Sequence, residues 1–297
     1  WRRFTKRWNT YGQANEEATV TNSAKDYRSE VTPIWCPGCG DYAVLSALTR
    51  AFADLDIPRE RIAVASGIGC SSRFPAFLDT YGIHGVHGRV LPLASGIKLG
   101  SPGTTVVAVG GDGDGFSIGA GHIPHAARRN VDLTYIVMDN SIYGMTKGQP
   151  SPTSPQGMVR KAAPYGAQQT PLNPILMALS YPASFVGRAF SGQIKEMITL
   201  FVQALRHPGF AFIQVLSPCV TFYNTYDHYR EMTQAIPEDH DPTDQHAAMA
   251  LAMKNQTQYL GLFYQDTSRT PYGTRLDAVQ SQAPRKSMAE IFESLRR

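Results

Sequence analysis

The chain of 297 residues is 42% apolar and 18% charged, a balance that suits one large α/β domain with or without an extension. Its net charge of +4 includes no block of Lys and Arg that would mark a nucleic-acid surface, and no run of about 18 apolar residues offers a membrane span. Four cysteines are too few at this length for a disulfide framework, so their placement is read for other chemistry.

Residues 1–30 are polar and charged, with Arg2, Arg3, Lys6 and Arg7 near the start. They lack the apolar core of a secretory signal, so they are predicted to form an arm ordered by a partner surface, and a cytoplasmic location is expected. The chain begins at Trp1, which leaves a longer precursor open. Residues 42–56 place Val44, Leu45, Leu48, Phe52 and Leu55 on one helical face. Residues 61–66 read as a strand, and 104–109 as a buried strand running into a glycine turn. A helix of small residues is predicted over 117–129 and the next strand over 133–138. Residues 148–156, dense in Pro and Ser, cannot sustain a helix or a ladder. They are predicted to form a loop at the carboxyl end of a strand, where α/β sheets bind ligands. Strands at 183–190 and 210–216 flank a helix at 192–206. This alternation predicts an α/β fold with a doubly wound, mostly parallel sheet over residues 31–225. Beyond about 225, His, Asp, Pro and Gln rise and no strand is expected. Residues 226–297 are predicted to be a helical or irregular extension against the core or a partner subunit.

The sequence Gly110-Gly111-Asp112-Gly113-Asp114 follows the strand at 104–109, and Asn140 lies 28 positions after Asp112, at the end of the next strand. The glycines let the backbone turn sharply and approach phosphate oxygens. Two oxygen-bearing side chains on adjacent loops suit Mg²⁺, which often shares its shell with a diphosphate. Ser117, Gly119, Ala120 and Gly121 would open a helix with its amides aimed at the anion. The segment resembles the diphosphate signature of thiamine-dependent enzymes. That resemblance implies thiamine diphosphate and Mg²⁺, with Asp112, Asn140 and the main-chain carbonyl of Ile142 as cation ligands. It also implies Gly111, Gly113 and Gly144 around the cofactor. In one departure, the signature ends in Asn-Asn and Asp139 replaces the first Asn. Asp114, two residues past Asp112, is open to a role as an acid behind the cation ligands, and is expected first to cap the helix that follows.

Cys36-Pro37-Gly38-Cys39 is followed by Cys70 and, far on, Cys219. By spacing alone, the Cys-x₂-Cys pair suits zinc, a redox dithiol or an iron–sulfur cluster, and two distant thiolates can close a four-thiolate shell. The surrounding runs 35–40, 67–73, 87–92 and 217–221 resemble the β subunit of 2-oxoacid:ferredoxin oxidoreductases. The likeness holds in matching order from about residue 30 to about residue 225 and is strongest to the 2-oxoglutarate type. It implies one 4Fe–4S cluster on Cys36, Cys39, Cys70 and Cys219, with Gly69 and Cys70 also beside the thiamine cofactor. The implied reaction is coenzyme A-dependent oxidative decarboxylation of a 2-oxoacid, 2-oxoglutarate foremost, with electrons passed singly to ferredoxin and reversal as reductive carboxylation. The implied assembly is an α₂β₂ heterotetramer in which the Glu that activates the aminopyrimidine ring belongs to the α subunit.

His84 and His87 share a glycine-rich stretch, and the likeness favours His87 at the cofactor, where it could assist proton transfer. Arg73, three residues past Cys70, is implied to meet the substrate's distal carboxylate, which a guanidinium can hold with two parallel hydrogen bonds. Thr146 and Gln149 are implied polar contacts over the diphosphate, and Lys147 either neutralises phosphate or faces solvent. Residues 95–100 match a family helix packed near the cluster side, with no chemistry assigned. A non-redox thiamine decarboxylase or ligase with a structural zinc accounts equally for the diphosphate segment. A metal-stabilised scaffold that binds a partner through residues 226–297 leaves the spacing from Asp112 to Asn140 unexplained.

Overall fold

The computed structural model of the protein describes residues 22–254, 257–283 and 286–296, so most of the predicted N-terminal arm lies outside the described residues. In chain order the strands are β1 (Ile62–Ser66), β2 (Tyr81–His84), β3 (Thr105–Gly111), β4 (Leu133–Asp139), β5 (Ile142–Tyr143), β6 (Gln149–Pro150), β7 (Phe185–Phe190), β8 (Phe210–Leu216), β9 (Thr233–Ala235) and β10 (Gln258–Gln265). The α-helices are α1 (Asp41–Asp54), α2 (Val90–Gly100), α3 (Asp112–Phe116), α4 (Ile123–Arg129), α5 (Pro174–Ser180), α6 (Ile194–Arg206), α7 (Tyr226–Met232), α8 (Gln245–Ala252), α9 (Tyr272–Gln282) and α10 (Met288–Ser294).

Eight strands form one sheet in the order β2-β1-β3-β4-β8-β7-β10-β9. All neighbours are parallel except β7 and β10, which run antiparallel. The central strands β4 and β8 are buried at every position, as expected where helices cover both faces and apolar runs need not alternate. On one face, Val107, Val109, Ile136 and Ile213 pack with Val44, Leu48 and Phe52 of α1 and Phe201 of α6. On the other, Val106, Ala108 and Val137 pack with residues of α2, α4, α5 and α8. Each large apolar side chain removed from water in these two layers contributes about 1.5–3 kcal/mol, which is what holds the strand ends in register.

Register is what matters for function. Gly111 at the end of β3 lies opposite Met138, the penultimate residue of β4, so the next residues, Asp112 and Asp139, emerge side by side. The 28-residue separation of Asp112 and Asn140 collapses because a parallel crossover returns the chain beside its own start.

Several expectations are corrected. The predicted helix over 117–129 begins at Asp112, breaks after Phe116, and resumes as a 3₁₀ turn at Ala120–His122 and as α4. Gly119 explains the break: an added Cβ there would lie 2.5 Å from Asp114 O, so the chain turns back on itself at this point. The stretch beyond 225 is not free of strands, since β9 and β10 extend the sheet by pairing β10 with β7. The helix at 95–100 belongs to α2, whose Val90, Leu91 and Ala94 pack on the sheet face opposite the one that holds Cys39 and Cys70. The predicted loop at 148–156 does contain one short ladder, in which Gln149–Pro150 pairs with Ile142–Tyr143.

Candidate active site

A cleft of about 130 Å³ opens at the carboxyl ends of β1, β3 and β4. Its lining brings together Gly69, Cys70, His87, Gly111, Asp112, Gly113, Asn140, Ile142, Gly144 and Thr146, which are the residues predicted around the cofactor. Arg73 is half-buried in the 3₁₀ turn Ser71–Phe77 and is not among the residues lining this cleft. His84 lies exposed on β2, also outside it.

Asp112 is buried at the head of α3. Burial and the neighbouring Asp139 push its carboxyl well above the ordinary range. The Asp139 carboxyl is raised in the same way, chiefly by burial. The Thr153 hydroxyl lies 2.8 Å from Asp112 Oδ2 and 2.7 Å from Asp139 Oδ1. One hydroxyl proton can serve only one of them at a time. Asp139 also accepts from Ser141 N at 3.0 Å and from Gln214 Nε2 at 2.8 Å. Two adjoining buried carboxylates that share the Thr153 hydroxyl form a site that a divalent cation would neutralise. Asn140 Oδ1 accepts from Ile142 N at 3.0 Å, a tight turn that keeps the Asn side chain and the Ile142 backbone together. The donor set of Asp112, Asn140 and the Ile142 carbonyl therefore fits Mg²⁺, all oxygen and partly anionic.

Glycine at 113 is required by packing. A Cβ there would lie 2.2 Å from Tyr143 Cε1, while the Tyr143 hydroxyl donates to Gly113 O at 3.2 Å. The ring thus closes over the glycine turn from the opposite loop. The backbone at Ser141 and Lys147 takes positive φ, 56° and 77°, to make the tight returns around this hairpin. Thr146 donates to Gln149 Oε1 at 2.6 Å, so these two predicted contacts bond to each other, and Lys147 is exposed.

Asp114 does more than cap a helix, so the cap reading gives way to the supporting role that the sequence also left open. Its Oδ1 accepts from Ile68 N at 2.9 Å and Gly88 N at 2.7 Å, and lies 2.7 Å from His87 Nδ1. One carboxylate oxygen therefore pins the 67–70 turn, the 85–89 loop and the His87 ring. With Nδ1 donating to Asp114, Nε2 of His87 is left as an acceptor. Gly67 lets the carboxylate in, since a Cβ there would lie 2.0 Å from Asp114 Oδ2.

The cysteines come together through backbone ties. Trp35 Nε1 donates to Cys70 O at 2.7 Å, and Gly40 N donates to Pro218 O at 3.2 Å. Gly40 permits that approach, because a Cβ would meet Ser217 Oγ at 2.5 Å and Ser217 Cα at 2.9 Å. Cys36 is exposed and the other three are partly buried. Burial pushes the Cys39 thiol far up and the Cys70 thiol up to about 11, and the carboxylate of Asp41 adds to both. Asp41 itself is pushed up to about 6 by burial and is held by the Ser217 hydroxyl at 2.7 Å. Thiols so reluctant to ionise alone are stabilised as thiolates by a cationic metal centre. Among the described residues, no three or more His, Cys, Asp and Glu side chains lie close enough together to hold a single metal ion. The Cβ position of Gly144 lies 3.6 Å from Cys219 Sγ, 3.8 Å from Cys70 Sγ and 3.9 Å from Asn140 Nδ2. The thiol group and the cation site thus share a wall one glycine thick.

Sequence reasoning missed Thr153 in a loop, Asp41 at the head of α1, and Gln214 and Arg188 on strands. Only the fold reveals what each touches.

Comparison with known proteins agrees with this geometry. Residues 67–215, half of the chain, match the family model of the thiamine pyrophosphate enzyme C-terminal TPP-binding domain. Residues 219–281 match the C-terminal family model of the pyruvate ferredoxin oxidoreductase β subunit. The chain is 38% identical over 271 residues to 2-oxoacid:ferredoxin oxidoreductase 1, subunit β, of Aeropyrum pernix, covering 86% of this chain and 85% of that one. It is 44% identical over 198 residues to the 2-oxoglutarate oxidoreductase subunit KorB of Mycobacterium tuberculosis, covering 67% of this chain and 53% of that one. Its structure matches the 2-oxoglutarate:ferredoxin oxidoreductase from Magnetococcus marinus, solved with 2-oxoglutarate, coenzyme A and succinyl-CoA bound. The TM-score is 0.90 at 42% identity over 96% of this chain and 99% of that one. At 38% identity over 86% of its length to one such β subunit, and with half its residues in the TPP-binding family model, the chain belongs to the β subunits of the thiamine diphosphate-dependent 2-oxoacid:ferredoxin oxidoreductases.

Proposed function

We propose that the chain is the β subunit of a 2-oxoglutarate:ferredoxin oxidoreductase. The enzyme converts 2-oxoglutarate and coenzyme A to succinyl-CoA and CO₂, passes two electrons singly to ferredoxin, and can run in reverse. The observation that carries this reading is the shared wall at Gly144, with two cysteine sulfurs and the Asn140 amide all within 4 Å of one position. A 4Fe–4S cluster held on those sulfurs would supply a one-electron acceptor adjoining the cofactor site. The likeness to the Magnetococcus marinus enzyme, which binds 2-oxoglutarate, supports the substrate.

When bound, thiamine diphosphate supplies the nucleophilic carbon that makes decarboxylation of a 2-oxoacid feasible, and a 4Fe–4S cluster supplies one-electron storage. The chain's own residues do the holding. Asp112, Asn140 and the Ile142 carbonyl would hold the Mg²⁺, and Gly111 and Gly113 would let the backbone approach the diphosphate. Cys36, Cys39, Cys70 and Cys219 would hold the cluster. His87, with Nδ1 fixed by Asp114, presents Nε2 to accept a proton beside the cofactor. Arg73 stands on the cysteine side, where its charge acts on the Cys70 thiol. Its assigned contact with the distal carboxylate depends on how substrate enters between subunits.

The carboxylate that activates the aminopyrimidine ring belongs to an α subunit in an α₂β₂ assembly. The test is ferredoxin or viologen reduction by the co-expressed complex under anaerobic conditions with a panel of 2-oxoacids. Coenzyme A-dependent reduction strongest with 2-oxoglutarate is expected, and none from this chain alone. A preference for pyruvate would overturn the substrate, and turnover by the isolated chain would overturn the division of labour.

A further inference from the structure

Arg188 is a buried arginine on β7 without an ion-pair partner. It is 5% exposed, and among the described residues no carboxylate pairs with it directly. An unpaired buried guanidinium is costly, so something in the fold must compensate for it. Its Nε donates to Gln214 Oε1 at 2.8 Å, and one terminal nitrogen lies 3.4 Å from Tyr259 O on β10. The guanidinium also sits over the Phe263 ring, 5.5 Å from its centroid. Gln214, itself buried on β8, turns its Nε2 to Asp139 Oδ2 at 2.8 Å. The Asp139 carboxylate and the Tyr229 hydroxyl both act electrostatically on the arginine. The line Arg188–Gln214–Asp139 therefore runs across three strands from β7 to the turn carrying Asn140 and Ile142. It also answers the departure at position 139. An Asn there would need no distant positive charge, whereas an Asp beside Asp112 does.

We propose that Arg188 is a positioning residue for the cation–diphosphate site, acting through Gln214 to hold Asp139 and thereby to set the Asn140–Ile142 turn. The proposal rests on the assignment of Mg²⁺ to Asp112, Asn140 and Ile142. Gln214 presents an oxygen to the arginine and an N–H to the carboxylate, so its amide dipole is aligned by both ends of the chain. With Asp139 held by Gln214, Ser141 N and Thr153, the following residue has one direction in which to project. Loss of the arginine frees the Gln214 amide to rotate and leaves two adjacent buried carboxylates to repel each other.

The test uses the co-expressed complex stripped of cofactor, with thiamine diphosphate binding titrated at several Mg²⁺ concentrations and unfolding followed without ligand. Arg188→Met is expected to weaken Mg²⁺-dependent binding by tenfold or more. Adding Asp139→Asn to it is expected to restore affinity to within about threefold of wild type, because the neutral amide no longer needs the arginine. Gln214→Leu severs the link while leaving both ends in place, and is expected to weaken binding as Arg188→Met does, which keeps the proposal testable should Arg188→Met fail to assemble. Wild-type affinity in either single variant, or a double variant weaker than Arg188→Met, would overturn the proposal and leave Arg188 as packing for β10. Binding that is independent of Mg²⁺ in the wild-type complex would overturn the cation assignment and the proposal with it.

Discussion

Replacing Asp114 with Asn tests whether one carboxylate organises the site. The side chain keeps its size and an oxygen in place of Oδ1, but loses its charge. Three donors converge on that oxygen, from Ile68 N, Gly88 N and His87 Nδ1, at 2.7–2.9 Å. A hydrogen bond to an ionised acceptor is about twice as strong as one to a neutral acceptor, a difference of about 1 kcal/mol per bond. The substitution is therefore expected to cost about 3 kcal/mol of stability in total. It also puts an amide NH₂ where Oδ2 now sits, a position with no hydrogen-bond partner in the structure, which gives no compensation. The 67–70 turn and His87 both line the cleft, so cofactor affinity is expected to fall as well, by about tenfold, the range seen when groups supporting a metal site are removed. Denaturant unfolding of the complex, with the slope held common, gives the first number, and a thiamine diphosphate titration gives the second. A loss under about 0.5 kcal/mol together with unchanged affinity would refute the reasoning, since surface substitutions alone produce changes of that size.

Three further outcomes follow from particular contacts. Gly113→Ala places a methyl 2.2 Å from the Tyr143 ring and should displace the hairpin that closes the cleft; the purified complex should retain little thiamine diphosphate, and normal retention would contradict the packing argument. Gly40→Ala pushes against Ser217 Oγ and Cα, driving the Cys36–Cys39 loop from Cys219; iron content should fall while thiamine diphosphate binding persists, and unchanged iron would contradict it. His207 is buried beside Ser184 Oγ at 2.7 Å, and burial lowers its pKa to about 4. Its folded pKa lies below the unfolded value of about 6.5, so its contribution is present above that value and is lost as pH falls toward 4. The complex should lose about 1–2 kcal/mol between pH 7 and pH 5 on this account, and His207→Gln should flatten that slope; an unchanged slope would refute the assignment.

The parts of the site that could be read in the sequence are those where chemistry dictates residue type. Asp112 and Asn140 are polar residues at the ends of apolar runs, and parallel pairing of β3 with β4 does the rest. The cysteines were legible as a set, but their convergence depends on Gly40 and on Trp35 reaching Cys70 O. What stayed hidden depends on tertiary contact. Asp114 reads as a helix cap because its partners, Ile68 and Gly88, are distant in sequence. Thr153 sits in a proline-rich loop whose path no periodicity encodes. Arg188 and Gln214 interrupt otherwise apolar strands, and only the sheet register shows that they face each other. The strand β10 escaped notice because its burial does not alternate and a register shift falls between Leu262 and Tyr264. In this edge region, packing against β7 sets the conformation, and local pattern contributes little.

The central claim is that this chain sets a redox cluster against a thiamine site, and metal analysis tests it most directly. Iron, acid-labile sulfide, zinc and thiamine diphosphate would be measured on the complex purified anaerobically, beside a complex carrying Cys36→Ser and Cys219→Ser. About four irons and four sulfides per αβ unit are predicted, with both lost from the cysteine variant and thiamine diphosphate retained in each. Stoichiometric zinc without iron or sulfide, or iron unaffected by the cysteine changes, would contradict the account.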